Sequence, residues 1–366
     1  MAFSFFKKKK KKESNDSRYF NLTVKEVVKE TKDAVSLVFE QPASGDLQYK
    51  PGQFVTLISN VSGKKIRRAY SLCTSPYVDK NPAITIKRVD GGAMSNHVND
   101  NVKAGDVIEI MEPMGSFVLD IKPEYKKHVF LFGGGSGVTP LLSIAKSILS
   151  EEENSKVSLI YANRDEESVI FKSSIEQLQS QHPEKLSIVQ FLENPPQEWT
   201  GETGFMTVEK LNEVIIKLKD PSFSDEEYMT CGPEPLMNIV METLDQLDIP
   251  SDKKHMESFV AGTTSPSDII DQDDLPEQSV TILLEGQEYQ YVVPKGKSIL
   301  EAGLDENIDM PYSCQSGLCT ACRGKCLSGT VKMDEDDGLS EEEKAEGYVL
   351  LCVGHAVTDD VKVEIG

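Results

Sequence analysis

Cys314-Gln-Ser-Gly-Leu-Cys319-Thr-Ala-Cys322, answered by Cys352, is the stretch that decides how the chain is read. Three thiols fall at the spacing C-x4-C-x2-C, and the fourth follows after 29 intervening residues. Four thiolates so spaced are the plant-type ligand set of a two-iron, two-sulfur cluster. Ser316, Gly317, Thr320 and Ala321 are small, which lets backbone N–H groups approach the cluster sulfurs and offset their charge. Structural zinc is the plainer alternative. Zinc favours paired C-x2-C knuckles, however, and only one such pair is present. Cys314, Cys319, Cys322 and Cys352 are therefore read as iron ligands.

Outward from this loop, residues 279–366 read as a compact α+β unit. Strands are expected over Ser279–Leu284 and Glu288–Val293, then a helix from Ser298, a strand near Arg323–Met333, an acidic turn, and strands Tyr348–Val353 and Val361–Ile365. Residues 261–278, polar and acidic with Pro266 and Pro276, read as a semi-flexible linker. From 123 to 260, short apolar strands alternate with helical stretches, which implies a parallel sheet with helices on its faces. Residues 18–122 carry short alternating runs bounded by Gly, Pro, Asn and Asp, the pattern of a closed antiparallel barrel. Residues 1–17 hold Phe3, Phe5, Phe6 and the run Lys7–Lys12, a disordered basic arm that is also able to touch anionic lipid weakly. Its charge follows its apolar part, the reverse of a secretory signal.

Two strings in the barrel segment carry chemistry. Arg68-Ala-Tyr70-Ser71 ends a strand with a forked cation for phosphate, a flat ring for stacking and a hydroxyl. Gly91-Gly92-Ala-Met94-Ser95-Asn-His97 looks like the start of a helix, whose free N–H groups form an anion site. In this order they suggest a flavin diphosphate held across a barrel. Gly133-Gly134-Gly135-Ser136-Gly137-Val-Thr139-Pro140 lies between a buried strand and a helix, where a dinucleotide pyrophosphate binds. It is neither G-x-G-x-x-G nor a P-loop. Cys231-Gly-Pro-Glu-Pro235 follows a later strand, placed at a sheet edge, and Cys231 alone reads as a core thiol.

The formal charge of −21 argues against a nucleic-acid partner, which requires a basic face. No apolar run reaches the length of a membrane span. Cys73, Cys231 and Cys326 remain outside the cluster, an odd set that makes no disulfide framework and points to a reducing, cytosolic compartment. Cys326 reads as a buried thiol rather than a fifth ligand, and His97 and His255 as structural or surface residues. Asp334–Asp337 with Glu341–Glu343 form a solvated acidic face or a docking surface for an electron acceptor.

Taken together, these strings resemble a ferredoxin–NADP reductase-type flavoprotein with a C-terminal plant-type ferredoxin domain. More narrowly, the chain is similar to the reductase subunit of phenylacetyl-CoA epoxidase and to related oxygenase reductases. Pro51-Gly-Gln-Phe54, Pro113-Met-Gly-Ser-Phe117 and Tyr161-Ala-Asn-Arg164 belong to the same match, which spans about 18–366. The resemblance implies an FAD barrel, an NAD(P)-binding α/β domain and a β-grasp ferredoxin domain, with electrons leaving to a partner oxygenase. It also assigns residues. Arg68, Tyr70 and Ser71 hold the FAD ring and pyrophosphate, and Lys87, Gly92, Met94 and Ser95 hold the remainder. Gly133–Thr139 bind the nicotinamide dinucleotide, Cys231 sits by its ring, and Glu257 and Phe259 close the flavin site. Ser71, Cys231 and Glu257 are the catalytic candidates.

A nicotinamide gives two electrons as hydride and a cluster takes one, so a flavin belongs between them. Plant-type clusters sit at about −400 mV. Arg164 and Ser168 suit the 2′-phosphate of NADPH, while Asp165-Glu-Glu167 repels it; the expectation leans to NADPH. Two rival functions stand beside the oxygenase reductase. One is a general reductase for a desaturase or soluble acceptor. The other is an iron–sulfur sensor or scaffold, which would have no use for a hydride-donor loop. Oligomeric state is not encoded in any of these strings.

Overall fold

The computed structural model describes residues 18–43, 45–259, 277–317, 319–336 and 338–365. The basic arm and residues 261–276 of the expected linker lie outside them; Gln278, the linker's last residue in the sequence reading, already begins a strand.

The first unit is the expected antiparallel barrel. Its strands are β1 (Tyr19–Thr31), β2 (Ala34–Phe39), β3 (Phe54–Val61), β4 (Lys64–Ser71), β5 (Ala83–Lys87) and β6 (Val107–Met114). They order as β4-β3-β6-β1-β2-β5. The long strand β1 pairs with β6 through Tyr19–Thr23 and with β2 from Val24 onward, so one strand serves both halves of the sheet. The ends meet at a single bridge, Leu72 to Ile84, which closes the barrel. Helix α1 (Ala93–Asn101) plugs one end with Met94 and Val98, among a core of Leu22, Leu37, Leu57 and Ile86.

The second unit is an all-parallel sheet. Its strands are β7 (His128–Gly134), β8 (Lys156–Asn163), β9 (Leu186–Leu192), β10 (Glu202–Thr203), β11 (Glu226–Cys231) and β12 (Lys254–Glu257), ordered β10-β9-β8-β7-β11-β12. Its helices are α2 (Val138–Glu151), α3 (Lys172–Gln181), α4 (Val208–Leu218) and α5 (Glu234–Gln246). The sequence reading placed Cys231 beside a sheet edge; the structure corrects this. Its strand β11 lies between β7 and β12, because the later chain crosses to the far side of β7. Helix α2 carries Ser143, Lys146 and Ser147 to the barrel, where they bond Thr74 O, Asp79 and Ser75.

The third unit has strands β13 (Gln278–Leu284), β14 (Gln287–Val293), β15 (Arg323–Ser328), β16 (Val331–Met333), β17 (Tyr348–Leu350), β18 (Gly354–Ala356) and β19 (Val361–Ile365). Five of them form the sheet β14-β13-β19-β15-β17, and β16 pairs with β18. Helix α6 (Ile299–Asp305) starts at a reciprocal cap between Ser298 and Glu301. The strand expected over Arg323–Met333 is two strands. Gly329 breaks it at φ +76°, where a Cβ would lie 2.7 Å from the Val361 backbone. The acidic turn is a short helix, α7 (Glu341–Ala345), capped by Ser340 and Glu343. Part of its charge is neutralised locally: Lys344 pairs with Asp336 and Glu341, and Arg323 with Glu343.

Candidate functional site

One cavity of about 480 Å³ receives walls from all three units. That volume is within the usual range for a small-molecule or cofactor site. The β4 terminus supplies Arg68, Tyr70 and Ser71; β5 supplies Thr85 and Lys87; the start of α1 supplies Gly92, Met94 and Ser95. Neither Arg68 nor Lys87 takes part in an ion pair among the described residues, which leaves two cations facing the space. Adjacent strand residues point to opposite faces, so Arg68 and Tyr70 share one side of β4.

Helix α1 begins at Gly92, whose extended backbone makes no side-chain cap, so its first N–H groups remain available to an anion. Gly92 is required there: a Cβ would fall 2.6 Å from Ser95 Oγ. That hydroxyl accepts from Val89 N at 3.1 Å and pins the turn. Two unpaired cations, an uncapped helix start and the Tyr70 ring form a donor set that fits FAD.

Ser136 and Thr139 bring the glycine-rich turn to the opposite wall. The turn leaves β7 beside the end of β11, where the strand order reverses; a dinucleotide binds at such a switch point. Two of its glycines are demanded by this closeness. A Cβ on Gly137 would lie 2.0 Å from Cys231 O, and one on Gly134 would lie 2.6 Å from Pro233 Cδ. Gly135 adopts φ +52° and approaches the Lys87 ammonium. The Gly133–Pro140 and Cys231-Gly-Pro strings are thus two halves of one packed crossing.

Cys231 does not reach the cavity wall. Its thiol is fully buried in the core of the parallel-sheet unit, and burial raises its pKa well above the ordinary value, with Glu257 adding to the rise. Glu257, its register partner on β12, does line the cavity. Burial pushes that carboxyl up from 4.5 to about 8; a hydrogen bond with Ser71 opposes the shift and Cys314 adds to it. Glu257 Oε2 has no partner among the described residues. Phe259 lines the same wall, half-exposed. Arg164 and Ser168 lie outside this cavity, past the end of β8. Arg164 Nε donates to Asp165 at 2.9 Å, and the Ser168 hydroxyl is spent on the Asp165 turn.

The third wall was not foreseen. Ser313, Cys314, Gln315 and Ser316 of the cysteine loop face Arg68, Tyr70 and Ser71 across the space. The four cysteines converge. The Cys314 sulfur is within hydrogen-bonding reach of Cys319 and Cys352, which lowers its pKa and raises theirs, and Cys352 also reaches Cys322. The Ser316 N–H points at Cys314 Sγ at 3.5 Å, as the small residues of the loop led us to expect. Four convergent thiols with an N–H on sulfur fit an iron–sulfur cluster. Cys326 is half-buried, its thiol directed at Ser328 O, and is no ligand. His255 pairs with Glu227 at 2.9 Å, a structural role.

Fold and site together define a flavin- and nicotinamide-dependent oxidoreductase that carries its own ferredoxin-type cluster unit. Three family models match in order: an oxidoreductase FAD-binding domain over 9–119, an oxidoreductase NAD-binding domain over 131–242, and a 2Fe-2S iron-sulfur cluster binding domain over 282–357. The chain is 36% identical to the ferredoxin reductase component of 3-ketosteroid-9-alpha-monooxygenase from Rhodococcus rhodochrous, covering 95% of this chain and 97% of that one. It is 32% identical to a component of the 1,2-phenylacetyl-CoA epoxidase of Escherichia coli (strain K12), covering 94% and 97%. Among solved structures, phthalate dioxygenase reductase aligns with TM-score 0.59 at 25% identity, over 95% of this chain and 98% of that one. The chain belongs to the family of flavin and iron–sulfur reductase components of multicomponent oxygenases. Among the described residues no helix is long and apolar enough to cross a membrane.

Proposed function

We propose that this protein delivers electrons from NAD(P)H to a separate oxygenase, using units at 18–122 and 123–260 and a third that begins at Gln278, joined to them through residues 261–277. The observation that carries the reading is the single cavity walled by flavin-type, nucleotide-type and cysteine-loop residues. When bound, the three groups supply hydride uptake by flavin, release of its two electrons one at a time through the two-iron cluster, and loss of one proton to solvent. The chain's residues do the holding. Arg68 and Lys87 would neutralise a flavin diphosphate at the N-terminus of α1, with Gly92, Met94 and Ser95 shaping that wall. Tyr70 would lie against the flat ring. Gly133–Thr139 would hold the nicotinamide dinucleotide at the switch point, with Cys231 buried behind that turn rather than on the cavity wall. Phe259 covers the ring site, and Ser71 with Glu257 holds a proton beside it. The thiol usage supports a reducing, cytoplasmic setting for this work.

An anaerobic spectral titration of the purified holo-protein with NADPH, and separately with NADH, tests the reading. Flavin absorbance bleaches first, and cluster absorbance falls with it or after it. A cluster indifferent to both nucleotides would overturn the relay.

NADPH is the donor favoured at Arg164. Arg164 spends only Nε on Asp165, and its side chain remains about half exposed, which leaves the guanidinium end for a 2′-phosphate. Arg164→Ala is expected to raise the KM for NADPH about tenfold with little change for NADH, since a charge-assisted phosphate contact is lost. A KM for NADPH that stays put while that for NADH moves would sink the assignment.

A further inference from the structure

A barrel strand with one solvated face alternates buried and exposed residues. Strand β3 does not: Phe54-Val55-Thr56-Leu57-Ile58 is buried at every position. Val55 and Leu57 belong to the barrel core. Phe54 and Ile58 turn the other way and pack with Met111, Met114, Cys319 and Ala321, so the far face of the hairpin is covered by the cysteine loop. Between them, Thr56 and Ser313 hydroxyls are joined at 2.5 Å.

The paired strand β4 presents Arg67 and Ala69 to the same side, opposite Ile58 and Thr56. Arg67 is 3% exposed. Its Nη1 donates to Asp309 Oδ1 at 2.6 Å and to Met310 O at 3.2 Å, and its guanidinium lies over the Tyr312 ring, 5.3 Å from the centroid. Lys65 takes the other oxygen of Asp309 at 2.8 Å. Neighbouring strand residues face opposite ways, so one dipeptide serves two tasks: Arg68 lines the cavity, and Arg67 grips the segment leading into Cys314.

We propose that Arg67, through Asp309 and Met310, is the positioning residue that seats the cluster-bearing unit on β3 and β4, so that Ser313–Ser316 close the cofactor cavity. The inference rests on the relay reading above and goes beyond it, because it names what holds the two units in register. The contacts are specific to arginine. One nitrogen, Nη1, serves a carboxylate and a carbonyl together, while the planar guanidinium stacks on the Tyr312 ring, and that stack is what a lysine ammonium cannot reproduce. With Asp309 gone, Arg67 is left buried without its counter-charge, so the seated arrangement loses population to unseated ones.

The test uses the full holo-protein and two variants. Arg67→Met keeps the apolar stem and removes the fork. Asp309→Ala acts from the partner side, where the side chain is 56% exposed and each unit's own core is untouched. Anaerobic stopped-flow mixing with NAD(P)H separates flavin bleaching from cluster bleaching, and amide hydrogen exchange reports on 54–61 and 309–316. Both variants are expected to bleach flavin within about twofold of wild type, and cluster about tenfold or more slowly, with faster exchange in both segments. Arg67→Lys does not restore the cluster rate. An unchanged cluster rate, unchanged exchange, or equal slowing of both bleaching steps in the two variants overturns the seat. A wild-type protein whose cluster ignores NAD(P)H overturns the relay reading instead.

Discussion

Replacing Cys319 by serine removes the cluster absorbance and lowers reduction of any acceptor served through the cluster by more than about a hundredfold, while NAD(P)H-driven ferricyanide reduction stays within about twofold. The asymmetry follows from where the residue sits. Cys319 is 3% exposed, in contact with Cys314, and packed against Phe54, Ile58, Met111 and Met114 of the barrel. A serine there withdraws one of four thiolates and leaves a hydroxyl among apolar neighbours. The cavity residues Arg68, Tyr70, Lys87 and Ser136 lie on other elements and keep their own supports. Cys326→Ser serves as the control. That thiol points at Ser328 O on β15, away from the quartet, so the cluster spectrum is expected to survive. Loss of flavin reduction in Cys319→Ser, alongside loss of the cluster, would break the linear order of the relay.

The ligand set was legible because cysteine spacing is a local property of the chain, and four thiols at that spacing have few structural uses. The parallel sheet was legible for a similar reason, since alternating strand and helix constrain topology strongly. The position of Cys231 was not. Whether β11 is central or at an edge depends on where the chain crosses β7, and no residue within β11 encodes that crossing. Helix α5 is marked in the sequence by Pro235 in its first turn, followed by Leu236, Met237, Val240 and Leu244 at helical spacing. Helix α7 is too short for an apolar stripe, but Ser340 and Glu343 spell its capping box.

The third wall of the cavity was the largest omission, and its cause is physical. The Thr56–Ser313 contact spans 257 positions. The run Phe54–Ile58 does announce a strand covered on both faces, yet nothing in it says what lies on the second face. Arg67 and Arg68 also look equivalent as letters. Only the strand's two-fold alternation, once the register is known, sends one to the cavity and the other to Asp309.

Glu257→Gln is expected to lower the maximal rate of flavin reduction about a hundredfold near neutral pH and to erase a break in its pH profile near 8. Burial at the end of β12 raises the Glu257 carboxyl to about 8, the Ser71 bond offsets only part of that, and Cys314 adds to it. The group therefore keeps its proton at pH 7 and gives it up as the pH passes about 8. That suits a proton reservoir beside a reacting ring. Glutamine preserves the shape and the bond to Ser71 but exchanges no proton. Stability carries the same signature. The folded-state pKa is raised, so the folded protein retains a proton that the unfolded chain loses above 4.5. The contribution is complete below that pH and is lost progressively up to about 8, a few kcal/mol in all. The melting temperature of wild type should accordingly fall more steeply between pH 5 and about 8 than that of Glu257→Gln. A variant that slows flavin reduction yet keeps the break would reassign the titration to another group and leave Glu257 a shaping role. An unchanged rate would remove it from the chemistry and leave the Ser71–Glu257 bond a structural one.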